Sequence, residues 1–322
     1  MIVLKLLREK TVVLAQQEYN IAIIYNNSIY YRMNNDEEHI IIYKSPYYDK
    51  KRKQKHGKVI VFDLDETLGD FNDLELLWNG IQMYTHQMSD FELFKKLLDL
   101  YPEFLRYGII SILEYLYQKK KSKLCKAIYI YTNNQSPPKW IKMVTNYFNY
   151  KLNLKTNENL FDKTVHAFKI NNKKIEPRRT THKKTIGDLI NCTLIPENTE
   201  ICFVDNTNFE SMKTEKVYYI QPMSYYHHLS NFELTNRFIH SNLAKEKLKS
   251  KHNIETFKNY IFSRRKNNDY FLNDIENNYL LKTNILVSQK IMYHVKEFFY
   301  FSERKEKTKK NKKLMNRMTR KK

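Results

Sequence analysis

Two aspartates, one residue apart, stand where the most apolar short segment of the chain ends. Segment 58–62 reads KVIVF, and Asp63 and Asp65 follow it. An apolar run of this kind indicates a strand buried on both faces, as in a parallel sheet covered by helices. Both carboxylates can then reach one site at the carboxyl edge of the sheet, where open α/β sheets bind ligands. Two close carboxylates attract a divalent cation and can divide the roles of nucleophile and acid/base.

Groups that can handle phosphate follow two later predicted elements. The predicted strand 127–131 ends in Thr132-Asn133, whose hydroxyl and amide can hydrogen-bond phosphoryl oxygens. A later predicted helix opens with Lys183 and Lys184, and a lysine there can supply a positive charge to a phosphoryl group. Helical register alone does not choose between the two lysines.

A third carboxylate follows another predicted strand. Segment 200–204 reads EICFV and ends in Asp205-Asn206, a carboxylate and an amide oxygen of the kind that Mg²⁺ binds. If these strands are parallel neighbours, the carboxylates of Asp63, Asp65 and Asp205 converge at one edge of the sheet. Converging carboxylates repel one another unless a cation is present. The pattern therefore predicts that Mg²⁺ binds among Asp63, Asp65, Asp205 and Asn206.

Two other ligand-binding patterns share part of this sequence. A Walker B strand also reads apolar residues followed by Asp and Glu, but none of the five glycines forms a G-x-x-x-x-G-K or G-x-G-x-x-G loop. An EF-hand loop requires a D-x-D-x-D-G pattern and a closing glutamate, and both are missing. A D-x-D pattern alone is weak evidence for a catalytic site. The polar residues at the later strand ends and the lysines before the later helix strengthen that interpretation.

Alternating strand and helix signals set the expected fold class. Further strands are predicted at 165–168 and 217–220, and most strands are separated by helical stretches. Residues 89–92 form a capping box that predicts a helix to about residue 100, helical spacing covers 107–119, and Ser136 is placed to cap another helix. This alternation predicts an α/β fold, a Rossmann-like core with a parallel central sheet.

The two ends of the chain differ from the centre. Predicted strands at 21–25, 28–32 and 39–43 indicate an antiparallel meander, and beyond about residue 228 only helical stretches are predicted. We therefore expect three regions: the meander with a basic linker at 1–57, a catalytic region at 58–224, and a basic helical extension at 225–322 with a disordered tail from about 304.

The four chemical elements, in this order, resemble the four motifs of the haloacid dehalogenase (HAD) superfamily. The form D-L-D-E-T-L at 63–68 is similar to the branch of RNA polymerase II C-terminal-domain phosphatases and NLI-interacting-factor-like proteins, and so is V-D-N-T at 204–207. R-Y-G at 106–108 stands where that branch has R-P-G. The resemblance covers about residues 58–222 and implies a HAD core. The richness in Lys, Asn, Ile and Tyr, taken with this family, brings to mind large DNA viruses.

The resemblance implies a division of roles between the motif residues. Asp63 is expected to attack phosphorus and form an aspartyl-phosphate, and Asp65 to act as acid and then as base. Thr132 is expected to bind a phosphoryl oxygen, and Lys184, or Lys183 in its place, to neutralise developing charge.

Further residues are expected to hold the metal and the substrate. The resemblance implies Mg²⁺ held by Asp63, the backbone carbonyl of Asp65, and Asp205, with Asn206 beside it. Thr67 is expected to shape the nucleophile loop. The remaining expected substrate-binding residues are Asn133 and the pair Arg178-Arg179, which either guides phosphate into the site or forms part of a solvated loop.

The chain also departs from the family pattern. Tyr107 replaces the proline of R-P-G, and Asn134-Gln135 replaces the small residues usual after the second motif. The interval 70–103 reads as a helical insert rather than a short β insert, at the place where the superfamily carries its caps. An insert at this place could cover the site or set its substrate, so the departures bear on the substrate more than on the chemistry.

Charge and cysteine content indicate partners and location. Residues 225–322 hold 23 basic and 9 acidic residues, a net charge of +14 out of +21, which predicts binding of nucleic acid or another polyanion unless the tail is only a solvated end. Three scattered cysteines predict a reducing intracellular compartment, cytoplasmic or nuclear. No apolar run reaches the ~18 residues of a membrane span.

These observations predict a Mg²⁺-dependent phosphatase acting on phosphoserine or phosphothreonine in an acidic phosphoprotein. The alternatives are a phosphatase for a nucleic-acid end or a small metabolite, and an inactive HAD fold that binds nucleic acid or serves as a scaffold.

Overall fold

The structure is a computed structural model of the chain. The backbone is described for residues 11–16, 21–25, 28–32, 38–48, 57–85, 90–245, 250–265 and 274–318. Side chains are described for residues 39–48, 57–83, 90–244, 250–265 and 278–300. The predicted basic linker at 50–55 lies outside these ranges.

The strands and helices follow the predicted alternation through the central part of the chain. The strands are β1 (Thr11–Gln16), β2 (Ile21–Tyr25), β3 (Ser28–Arg32), β4 (Glu38–Lys44), β5 (Lys58–Phe62), β6 (Ala127–Tyr131), β7 (Lys163–Val165), β8 (Lys169–Ile170), β9 (Lys173–Lys174), β10 (Glu200–Val204) and β11 (Val217–Pro222). The helices are α1 (Phe71–Thr85), α2 (Phe91–Leu100), α3 (Ile109–Lys121), α4 (Pro138–Lys151), α5 (Ile186–Thr193), α6 (Asn231–His240), α7 (Asn242–Lys245), α8 (Lys251–Arg264) and α9 (Asp274–Met318).

The central sheet is mostly parallel, which confirms the α/β class. Its strands lie in the order β4-β11-β10-β5-β6-β7, and each neighbouring pair from β11 to β7 is parallel. Every residue of β5, β6 and β10 is buried, as their apolar sequences require. The chain moves outward from β5 in both directions, so β5 marks the switch point beside which ligands of such sheets bind.

The N-terminal meander extends this sheet. β1 to β4 pair in antiparallel order, and β4 pairs antiparallel with β11, which makes one nine-stranded sheet. The predicted strands at 21–25, 28–32 and 39–43 are confirmed, whereas β1 was not predicted. Sequence alone did not show that the meander packs on the core, because this pairing uses backbone groups that any sequence carries.

The helical insert between the first two motifs is confirmed as α1 and α2. Asp90 caps α2 by accepting a hydrogen bond from the backbone of Glu92. The prediction that Ser136 caps the next helix was wrong, because Pro137 is the N-cap residue of α4 and the Ser136 hydroxyl donates to Glu75. The predicted strand at 165–168 lies earlier, as β7.

The C-terminal extension is helical, as predicted. The expected capping box at Ser230 opens α6. We expected a disordered tail from about residue 304, whereas α9 continues to Met318; the segment 304–318 has no glycine or proline and is rich in lysine, a good helix former. Among the helices of the described residues, none is both long and apolar enough to span a membrane.

A largely buried network of polar side chains connects α9 to strands β4 and β11 of the sheet. Glu297 accepts a hydrogen bond from the Tyr218 hydroxyl of β11, and its Oε1 lies 3.4 Å from the Lys44 ammonium of β4. His294 Nδ1 lies 3.3 Å from Oε2 of the same carboxylate. Burial would raise the pKa of Glu297, but His294, Lys44 and Tyr218 outweigh it and lower that pKa to about 2.

The depressed pKa predicts how Glu297 stabilises the fold. The carboxylate contributes its full stabilisation above its unfolded pKa, and the contribution is lost as pH falls through about 2. We expect Glu297→Gln to lower the free energy of unfolding at pH 7 by about 2 kcal/mol, measured by urea denaturation. The deficit should begin to shrink only below about pH 4.5.

The matched control is Glu114→Gln, which changes an exposed glutamate of α3. It should stay within about 0.5 kcal/mol of the unmodified protein. Equal effects of the two substitutions would contradict the assigned role of Glu297.

Candidate active site

The ends of three adjacent parallel strands bring the predicted residues to one edge of the sheet. Val204 is in register with Phe62, and Phe62 with Ile130, so β10, β5 and β6 end side by side. Asp205, Asp63 and Thr132 therefore follow neighbouring strands. The backbone N–H of Asp63 donates to the carbonyl of Val204 at 2.9 Å, which fixes the first residue beyond β5.

Lys184 lies between two of the carboxylates. Its ammonium group donates to Asp63 Oδ1 and to Asp205 Oδ2, the latter at 2.6 Å, and its side chain is 2% exposed. Burial alone would lower the pKa of Lys184, but the charges of Asp205 and Asp63 outweigh it and raise that pKa. The lysine therefore remains charged and offsets the repulsion between the two aspartates.

Asp65 lies in a different environment from Asp63. Burial, followed by the charge of Asp63, raises the pKa of Asp65 to about 7. Its Oδ2 accepts a hydrogen bond from the Asn134 amide at 2.9 Å, while its buried Oδ1 has no hydrogen-bond partner among the described residues. This carboxyl group can therefore exchange a proton near neutral pH.

The loop after Asp65 is held in an unusual conformation. Glu66 has a φ of 58°, in the left-handed region, and a Cβ at Gly69 would lie 2.4 Å from the carbonyl oxygen of Phe104. The buried guanidinium of Arg106 donates to the carbonyls of Glu66, Thr67 and Met223. Arg106 thus fixes a loop that costs free energy to form.

Thr67 and Asn206 join this loop to the end of β10. The Thr67 hydroxyl donates to Asn206 Oδ1 at 2.8 Å and lies 3.4 Å from Asp63 Oδ2. The Asn206 amide donates to Glu66 Oε2 at 3.1 Å and to Ser224 at 2.9 Å. The two predicted residues therefore position the loop around Asp63.

The second motif is fixed by a buried arginine. Thr132 Oγ1 accepts a hydrogen bond from the backbone of Asn134 at 3.0 Å, and Asn133 Oδ1 accepts one from Arg179 at 2.8 Å. Arg179 also donates to the backbone carbonyls of Thr132 and His182. Arg179 therefore joins the second motif to the segment before Lys184.

Besides Thr67, three expected substrate-binding residues do not line this pocket, and one of them, Arg179, is fully buried. Arg178 is exposed and lines a separate surface depression with Leu194 and Ile195. Lys183 is exposed beside the buried Lys184. The geometry thus favours Lys184 where the sequence left both lysines open, because just before α5 the Lys183 side chain faces solvent and the next one, Lys184, is buried.

The site opens into a pocket of 640 Å³. It brings together Asp63, Asp65, Thr132, Asn133, Lys184 and Asn206, all of which were predicted. It also contains Asn134, Phe209 and three residues of α1, none of which was predicted as a site residue, although the insert that holds α1 was expected to cover the site or set the substrate. The D-x-D and strand-end signals do not reach α1, and Asn134 was noted only as a departure from the family.

A second cluster of side chains, separate from those that line the pocket, has ligand atoms close enough together to bind a metal ion. In the part of the chain with described side chains, Asp70, Asp73 and His227 bring ligand atoms within 4.8 Å of one another and could hold a metal ion. Arg265 already donates to Asp73 Oδ2 at 2.7 Å and lies 3.3 Å from His227 Nε2. Its guanidinium supplies positive charge to these atoms.

The chain matches no protein-family model, no curated protein and no solved structure. The proposed function therefore rests on the geometry of the site.

The ion pairs of Lys184 predict a large effect of removing its charge. Lys184→Met keeps most of the side-chain volume but leaves the carboxylates of Asp63 and Asp205 without their buried counter-charge. We expect it to lower the free energy of unfolding by about 3 kcal/mol in metal-free buffer, measured by urea denaturation. Lys183→Met is the matched control and should change it by less than about 0.5 kcal/mol. Similar losses for both variants would rule out the buried ion pairs.

Proposed function

We propose that the chain is a Mg²⁺-dependent phosphatase of the haloacid dehalogenase type that hydrolyses phosphomonoesters. One observation carries the proposal: a nucleophile-type aspartate, a second carboxyl whose pKa is raised to about 7, a hydroxyl and a buried lysine line one pocket at the carboxyl edge of the sheet, namely Asp63, Asp65, Thr132 and Lys184. The D-L-D-E-T-L form supports a protein phosphoserine or phosphothreonine as the substrate. It weighs against a nucleic-acid end or a small metabolite.

The first step transfers the phosphoryl group to Asp63. A carboxylate oxygen of Asp63 attacks phosphorus, and the bond from phosphorus to the leaving oxygen breaks. Asp65 gives its proton to that oxygen, so the leaving group departs as a neutral alcohol. Thr132 is placed to donate to a phosphoryl oxygen, and Lys184 to offset charge on the transferring group.

The second step returns the enzyme to its starting state. Asp65, now ionised, removes a proton from a water molecule, whose oxygen attacks the phosphorus of the aspartyl-phosphate. The bond between phosphorus and Asp63 breaks, and inorganic phosphate leaves. Asn134 supports both steps because its amide holds Asp65 Oδ2 in place.

The donor atoms fit a hard cation. Asp63 and Asp205 both converge on the Lys184 ammonium, and Asp65 Oδ1 is buried without a partner in the described residues, so oxygen donors are available there. Asp63, the backbone carbonyl of Asp65, and Asp205 would hold Mg²⁺, with Asn206 beside them. When bound, the cation supplies positive charge that stabilises the oxygens of the transferring phosphoryl group.

The proposal predicts metal-dependent turnover of a generic aryl phosphate. We expect release of the aryl alcohol with Mg²⁺, its loss with a chelator, and a fall of at least about a thousandfold in kcat for Asp63→Asn, because the amide cannot attack phosphorus. Glu197→Gln, at an exposed position before β10, is the control and should keep full activity. Absence of turnover by the intact protein with Mg²⁺ would overturn the proposal.

We propose polyanion binding by the basic C-terminal end as a separate property. α9 lies beside Gly108 at Ser288, near the catalytic edge, and reaches Lys58 at Phe298, at the start of β5. Residues 301–318 continue the helix by about 27 Å at 1.5 Å per residue. Eight of the eleven basic residues of 304–322 therefore belong to a part of the helix that leads away from the pocket.

This course of α9 predicts that docking and turnover are separable. Deletion of residues 304–322 should leave aryl phosphate turnover unchanged while it weakens salt-dependent binding to duplex DNA or heparin by at least about tenfold at low salt. Binding is measured by fluorescence anisotropy over a series of salt concentrations. Unchanged polyanion binding by the shortened chain would contradict the role of this segment.

A further inference from the structure

One wall of the pocket is a polar face of α1. Asn72, Glu75 and Asn79 all line the pocket, and their spacing of three and four residues places them on one side of the helix. Leu74, Leu77 and Trp78 of the same helix are buried in the core. The α1 wall, as we call Asn72, Glu75 and Asn79, shares the pocket lining with Gln135 and Ser136, and the Ser136 hydroxyl donates directly to Glu75.

The α1 wall offers negative charge without a positive partner. Glu75 accepts a hydrogen bond from the Ser136 hydroxyl, and none of the residues with described side chains forms an ion pair with it. Burial raises the pKa of Glu75, as expected for a carboxylate that lacks a nearby cation. Lys184, the lysine of the pocket lining, is already bound by Asp63 and Asp205.

The α1 wall is held in place from behind. A Cβ at Gly80 would lie 3.0 Å from the ring of Tyr260, so α8 packs closely on α1. Arg265, which follows α8, donates to Asp73 Oδ2 in the first turn of α1 at 2.7 Å. A ligand that binds the α1 wall therefore meets a helix that is already anchored, which reduces the entropy lost on binding.

We propose that the α1 wall is a subsite for the leaving group and selects phosphomonoesters that carry a cationic group next to the phosphate. This proposal rests on the phosphatase function proposed above and names its substrate class: a phosphoserine or phosphothreonine flanked by arginine or lysine. A guanidinium can donate to Glu75 in a charge-assisted pair and to the carbonyl oxygens of Asn72 and Asn79. An acidic flank would instead bring like charges together, so the proposal departs from the acidic phosphoprotein expected from sequence.

The test uses two phosphopeptides that differ at one position, with arginine or glutamate next to the phosphoserine. We expect the full chain with Mg²⁺ to favour the arginine peptide by at least about tenfold in kcat/KM. Glu75→Gln should bring this ratio to within about threefold of unity, and Glu75→Lys should invert it. A ratio within one variant cancels changes in overall activity, and Glu75→Gln carries the test if Glu75→Lys does not fold.

Glu92→Gln is the matched control, because Glu92 is an exposed glutamate of the same insert that does not line the pocket. It should keep the ratio of the unmodified protein. A ratio near unity in the unmodified protein, with normal aryl phosphate turnover, would overturn the subsite and leave the phosphatase proposal intact. Preference for a 5′-phosphorylated oligonucleotide over both peptides would also overturn it. Absence of turnover with aryl phosphate and both peptides would overturn both proposals.

Discussion

The concentration of negative charge at the carboxyl ends of β5 and β10 is the constraint on which the rest of the structure depends. Asp63 and Asp205 are buried side by side, and such charges are tolerated only when a cation and hydrogen bonds compensate them. Lys184 provides that compensation from the segment before α5. The same arrangement places a positive charge where a phosphoryl group would be transferred. The contacts of Lys184 with Asp63 and Asp205 therefore contribute both to stability and to the proposed chemistry.

Buried arginines fix the loops around these charged residues by donating to backbone carbonyls. Arg106 binds the carbonyls of the left-handed turn after Asp65, and Arg179 joins the second motif to the segment that carries Lys184. Arg265 connects the C-terminal extension to α1 through Asp73. The extension therefore packs on the helix that lines the pocket, although the sequence presents insert and extension as separate regions.

The sequence predicted the central elements because their signals are local. The apolar run of β5 and the polar residues at three strand ends predicted the sheet and five residues of the pocket lining, namely Asp63, Asp65, Thr132, Asn133 and Asn206. It could not choose between Lys183 and Lys184, since helical register does not determine which lysine turns inward before a helix begins. The role of Ser136 was predicted wrongly, and that of Arg178 was left open, because loop direction depends on tertiary contacts. The sequence predicted that the insert could cover the site or set the substrate, but not that Asn72, Glu75 and Asn79 of α1 line the pocket, because these polar residues also fit an ordinary solvated helix face.

The most direct test of the central claim is whether Asp63 carries the phosphoryl group during turnover. An aryl phosphate needs no proton for its leaving group to depart, so Asp65→Asn should complete the first step and fail to activate water. Acid quenching and peptide mass spectrometry of that variant should show a single-turnover burst of aryl alcohol and a hydroxylamine-labile phosphoryl group on Asp63. A phosphoryl group on another residue, or turnover by the intact protein without a burst in the variant, would contradict the account.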